Sequence, residues 1–160
     1  MRGREVPHPG RGTGAGVLFV NDEGTECGGL MWWGDSEGAG IHLSFDSYEQ
    51  NDAVIFQHAD EAGKRVSSLE LIDRPTWSVA DFITEYEQAA DEGQRTAVTN
   101  RYFESGNGWS RMRLARDDDG SVRLCLRDAA GRDRIRLTVG VDGEPRIELL
   151  DAEGTVARRL

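Results

Sequence analysis

The chain has 160 residues, 38% of them apolar and 20 of them glycine, the size and composition of one globular domain. The apolar content excludes wholesale disorder, and the absence of any apolar run near 18 residues excludes a membrane-spanning helix. Lys+Arg 19 against Asp+Glu 29 gives a net charge of −10, the wrong sign for gripping nucleic acid through its phosphates.

Residues 1–16 carry no periodicity and read as a flexible arm ahead of a single β-rich domain over 17–160. Met1-Arg-Gly-Arg is basic, but no apolar segment follows it, so no secretory signal is expected. The Gly12-x-Gly14-x-Gly16 run opens the β-like segment Val17–Val20 rather than a helix, which argues against a phosphate-binding loop. Cys27 and Cys125 lie far apart and in no CxxC pair. They are expected as reduced thiols in a cytoplasmic protein.

From Asn21 onward one punctuation recurs. Asn21–Gly24, Asp60–Gly63, Asp117–Gly120, Asp128–Gly131 and Asp151–Gly154 share the form Asx-x-x-Gly, and Val141-Asp-Gly143 is a shorter relative. Asp or Asn bonds the backbone two residues on, the middle pair takes a type I turn, and Gly accepts the positive φ that follows. Such turns predict antiparallel strands over 17–21, 27–33, 40–46, 53–59, 65–73, 110–116, 121–127, 133–139, 145–150 and 155–159. The fold class is therefore all-β, as an antiparallel meander, a barrel or a sandwich.

The strand over 27–33 carries Leu30-Met31-Trp32-Trp33, bulky on both faces because neighbouring residues point to opposite sides. Core with helix, a subunit interface or a ligand cavity would each cover it, and the expected assembly is a homo-oligomer, dimer or trimer. Next, Ile41, Leu43 and Phe45 alternate with His42, Ser44 and Asp46. If the polar set lines a barrel lumen, His42 and Asp46 lie about 13 Å apart along the strand and cannot bond directly. A substrate between them, or partners on adjacent strands such as His58, would join them. The bland alternative is an ordinary solvent face.

Residues 78–104 interrupt the β pattern. Ser78 caps an amphipathic run of Val79, Phe82, Ile83, Tyr86 and Ala90 that ends near Gly93, predicting a helix over 79–92 and a weaker one over 94–104. Beyond it, Val122, Leu124 and Leu126 oppose Arg123, Cys125 and Arg127, and Ile135, Leu137 and Val139 oppose Arg134, Arg136 and Thr138. Residues 111–160 hold 11 Arg and 10 acids, for +1, so residues 1–110 carry −11. Cross-strand ion pairs are the expected use of these arginines, with an anionic ligand or a neighbouring subunit's acidic block as the alternative.

The strings NDEGTECGGL at 21–30 and LSFDSYEQ at 43–50, Asp73-Arg-Pro75, and the closing Leu-Leu-Asp-Ala-Glu-Gly resemble those of a family of uncharacterised bacterial proteins. The resemblance spans most of residues 16–160 and implies no mechanism. It does suggest that Asn21–Leu30 and Leu43–Gln50 form a shared feature. Family members carry a further β-rich segment before the first turn, so an open sheet edge is expected here.

The functional expectation is a small-molecule-binding β protein. It would act as a cofactor-independent cyclase or isomerase, with His42, Asp46 and Glu49 as acid–base groups. Trp32, Trp33, Tyr48, Asp22, Glu26 and His58 would line the ligand site. Asp22, Glu23 and Glu26 lack the ligand order of a calcium loop, and no metal is expected. The alternative is a non-catalytic homo-oligomeric interaction module.

Overall fold

The computed structural model describes residues 4–7, 13–74, 77–104 and 108–160. They form a meander of strands β1 (Arg4–Pro7), β2 (Thr13–Val20), β3 (Glu26–Asp35), β4 (Gly38–Asp46), β5 (Asp52–Glu61) and β6 (Lys64–Ile72). Helices α1 (Val79–Gln88) and α2 (Glu92–Glu104) follow, then β7 (Ser110–Arg116), β8 (Val122–Arg127), β9 (Asp133–Val139), β10 (Pro145–Leu150) and β11 (Val156–Arg159). The strands make one 11-stranded sheet in chain order, β1 to β11, and every pairing is antiparallel.

The all-β class with one helical insertion is realised, as an open meander rather than a closed barrel. β1 and β11 stand at opposite edges, so the sheet is open. Strand contacts run between chain neighbours, so no part of the sheet packs over another. Residues 4–7 and 13–16, expected in the arm, are strand: Arg4 pairs with Gly16 and Pro7 with Thr13. Gly12 of the Gly12-x-Gly14-x-Gly16 run and Pro75 of Asp73-Arg-Pro75 lie outside the described residues.

Register gives the sheet two unlike faces. On one, Val17, Leu30, Leu43, Phe56, Leu69, Leu114, Leu124, Leu137 and Ile147 are successive cross-strand partners, a continuous apolar row over β2 to β10. Phe45, Val54, Leu71, Met112, Leu126, Ile135 and Leu149 form a parallel row beside it. On the opposite face Glu70, Arg113, Cys125, Arg136, Glu148 and Arg159 are successive partners. The alternation read from β4, β8 and β9 is thus realised strand by strand.

The turns follow the expected physics. At Asn21–Gly24, Asp117–Gly120, Asp128–Gly131 and Asp151–Gly154 the Gly N–H donates to the carbonyl of the leading Asx, and each Gly has φ between 76° and 90°. The Oδ1 of Asn21 also accepts from the N–H groups of Glu23 and Thr25. Asp60–Gly63 departs from the set. Glu61 pairs with Lys64, leaving a two-residue turn in which Ala62 and Gly63 both have positive φ, the I′ geometry. Asp60 is released to pair with Arg65 at 2.6 Å.

The helices hang from one end of the sheet. Ser78 Oγ accepts from Asp81 N–H at the start of α1. The expected helix over 79–92 stops at Gln88 because Asp91 accepts from Gln94 N–H and caps α2. Trp77, Phe82, Tyr86 and Tyr102 form an aromatic cluster of their own. The pair is moored to the loop between β4 and β5: Tyr102 Oη donates to Gln50 Oε1, Gln50 Nε2 donates to the Trp77 carbonyl, and Val79 N–H donates to the Glu49 carbonyl. Each strand packs against its sheet neighbours and the two helices against each other, so neither face of the sheet gains a second layer.

Candidate functional site

The polar face carries an acid–base cluster at the β4–β5 end. A register shift after Phe45 places Asp46 directly opposite Asp52. His42 Nε2 lies 3.8 Å from Asp52 Oδ2, so the carboxylate that answers His42 is Asp52 rather than Asp46. The Asp46 Oδ1 atom is shielded and unpartnered. Burial, then the hydrogen bond and the charge of Asp52, then Glu26, push the Asp46 carboxyl up to about 6, while Arg74 pulls it down by less. Arg74 Nε is itself fixed by the Asp52 carbonyl at 2.6 Å.

Other expected site residues stand apart. Tyr48 is exposed, and its Oη donates to Glu23 Oε2 at 2.9 Å. That hydrogen bond, the Glu23 charge and the Glu49 charge raise its phenol. Glu49 has φ 53° and serves through its carbonyl, which anchors α1. Asp22 is an exposed residue of the first turn. Glu26, also exposed, reaches the cluster through its charge on Asp46.

His58 is on the other face. His42 pairs with Gln57, whereas His58 pairs with Ile41 and Ser67, so the two imidazoles are separated by the sheet. A one-position offset between paired strands sends side chains to opposite sides. His58 Nδ1 is 2.8 Å from Ser67 Oγ. The tryptophans divide in the same way. Trp32 stands on the apolar face, 43% exposed. Trp33 lies over its cross-strand partner Gly40, where an added Cβ would come within 2.2 Å of the indole. Its Nε1 donates to Glu61 Oε1 at 3.3 Å.

The largest feature is the apolar face itself. Leu30, Ile41, Leu43, Phe56, Leu69, Leu114 and Val122 line an open groove of about 660 Å³, with His58, Ser67 and Arg116 at its rim. Trp32, Ile41, Phe45, Phe56, Leu71, Leu114, Val122, Leu137, Val139 and Ile147 are each more than a third exposed, and all lie on this face by register. Exposed apolar patches of that extent mark protein–protein, membrane or ligand-binding surfaces. Sequence reasoning left the cover of the 27–33 strand open between core, subunit interface and ligand cavity, and did not connect the apolar sides of successive strands. The thirteen-residue interval from Val17 through Leu30, Leu43 and Phe56 to Leu69 is the signal that aligns them into one row.

Most of the C-terminal arginines are held in ion pairs, while Arg116 and Arg158 stand on the apolar face by register. Arg136 and Arg159 hold Glu148 at 3.3 and 2.7 Å, and Arg113 bridges Glu70 and Asp117 at 3.4 and 3.0 Å. Hydrogen bonds from Arg159 lower the Glu148 carboxyl below its usual range. Both cysteines are free thiols, and burial raises that of Cys125. Among the described residues no group of three or more His, Cys, Asp or Glu is placed to hold a metal ion, and no helix is long and apolar enough to cross a membrane. Compared with known proteins, the chain matches no family model and no curated protein.

Proposed function

We propose that this protein is a non-catalytic interaction module whose working surface is the apolar face of the sheet. The observation that carries this reading is the unbroken cross-strand row from Val17 to Ile147. With strands about 4.8 Å apart it extends for about 38 Å. An acid–base enzyme draws less support. The groove and the His42–Asp52–Asp46 cluster lie on opposite faces of a one-layer sheet, so a substrate in the groove would not meet those groups.

The groove between Leu30 and Val122 favours a second reading, uptake of a small apolar molecule, because about 660 Å³ is the size of an ordinary ligand site. One experiment separates the two. A photo-crosslinking benzoylphenylalanine is placed at Phe56, on the apolar face, or at its neighbour Gln57, on the polar face. The module forms protein–protein adducts from position 56 and not from 57. A folded chain that forms no protein adduct from position 56, or forms as many from 57, overturns the module. Absence of adducts together with displacement of a bound apolar dye by small hydrophobic molecules would favour the ligand reading.

A further inference from the structure

Resting on that reading, we propose that the partner on the apolar face is a second copy of this chain, docked face to face about a two-fold axis parallel to the strands. The result is a two-layer β-sandwich in which β2 of one copy lies over β10 of the other.

Area is the first argument. The chain exposes 10444 Å², whereas a compact monomer of 17.7 kDa exposes about 7,900 Å² by the usual size scaling. The excess of roughly 2,500 Å² is well above the ~800 Å² that each partner contributes to a standard interface. Among the described residues no side chain is fully buried. A single sheet with one apolar face has its core only when that face is covered. A small molecule in the groove would reach a fraction of the row, and the chain's own helices lie off the sheet. A second copy is present whenever the first is made.

Shape is the second argument. The β2–β5 half of the face is aromatic, with Phe19, Trp32, Phe45 and Phe56. The β8–β10 half is aliphatic, with Leu124, Leu137 and Val139 among its members. An axis along the strands reverses strand order between the copies. Each aromatic half then sits over the partner's aliphatic half, and large side chains meet smaller ones. An axis across the strands would instead stack the aromatic halves on each other.

Charge is the third. Residues 1–110 carry −11 and residues 111–160 carry +1. The same reversal keeps the two acidic halves apart and sets each over the partner's nearly neutral half. On the face itself the charged groups stand at the β5–β6 turn, where Arg65 pairs with Asp60 at 2.6 Å and Arg116 donates to the Arg65 carbonyl, and at the β11 edge, where Arg158 lies opposite Leu149. That leaves an apolar centre with a polar rim, the anatomy of a protein interface.

Sedimentation at tens of micromolar reads the stoichiometry, and Leu69→Glu, a charge placed near the axis on both copies, shifts the dimer to monomer. Because that variant loses core and is prone to unfold, a second measurement uses folded protein. In a Cys27→Ser, Cys125→Ala background, Val17→Cys chains are mixed with Ile147→Cys chains and treated with a short bismaleimide. Covalent dimers form in the mixture, and neither chain alone links to itself. Val17→Cys self-linking without mixed linking overturns the arrangement. A folded monomer or a trimer overturns the second copy. If that monomer lights up the apolar dye ANS and crosslinks other proteins from position 56, the interaction module stands without self-association. If it is dark and yields no adduct, both readings fall.

Discussion

Asp46 is where the sheet's local chemistry is most exposed to solution conditions. Its raised carboxyl pKa, about 6, means that the folded chain holds a proton which the unfolded chain releases near 3.9. Between those values the native state binds more protons, so stability falls as pH rises through about 4 to 6 and the penalty is complete above that window. Asp46→Asn is therefore expected to stabilise the protein at pH 8, by about 1 kcal/mol after solvent screening, and to change little at pH 4. Urea midpoints at the two values measure it, and an equal shift at both would refute the assignment. Gly28 makes the opposite kind of demand. It sits at φ 132° with Phe19 and Phe45 stacked across it at 6.4 Å, and an added Cβ would meet the Ser44 carbonyl oxygen at 2.3 Å. Gly28→Ala is expected to cost about 2 kcal/mol or more in chemical denaturation, because the clash is with backbone and the φ is costly for any side chain. His42 and Asp46 were legible as special positions in the sequence. Asp52 was not, because the bulge between Phe45 and Asp46 that brings it opposite Asp46 breaks the alternation at the strand ends.

At the scale of elements, the hairpins were the most readable feature because their physics is local. An Asx oxygen, two turn residues and a Gly lie within four positions, and nothing distant needs to be known. Asp128 shows how much one such residue does: its Oδ1 accepts from Ala130 and Arg132 N–H, and its Oδ2 from Arg132 Nε at 2.9 Å. Asp128→Ala should lower the melting temperature through the loss of those charge-assisted bonds, whereas Asp128→Asn should retain most of them. Thermal melts of the two variants side by side provide the check. The helical boundary was less legible. Gly93 reads as a terminator when taken alone, yet Asp91 three residues ahead of Gln94 makes it an interior residue of the second helix. Beyond single hairpins, local signals are silent. Alternation says that one side of every strand is apolar but not whether the strands curl into a barrel or continue as an open sheet. Nor does it tell that His42 and His58, each on a polar-looking segment, end on opposite sides.

At the scale of the whole molecule, an apolar face without a layer of its own ties folding to association. If two copies share one core, the melting temperature depends on protein concentration, because dilution favours the separated and unfolded chains by mass action. Each tenfold rise in concentration adds about 1.4 kcal/mol per dimer. Unfolding entropy near 60 °C is about 2.1 cal/mol/K per residue, so over two chains that corresponds to a rise of about 2 °C in Tm. The steps should repeat across the range from one to a hundred micromolar, with Leu69→Glu showing no such slope if it folds at all. A wild-type Tm that stays fixed over that range would mean that the sheet holds its fold as a single layer, and the balance of burial argued for the two copies would then be wrong.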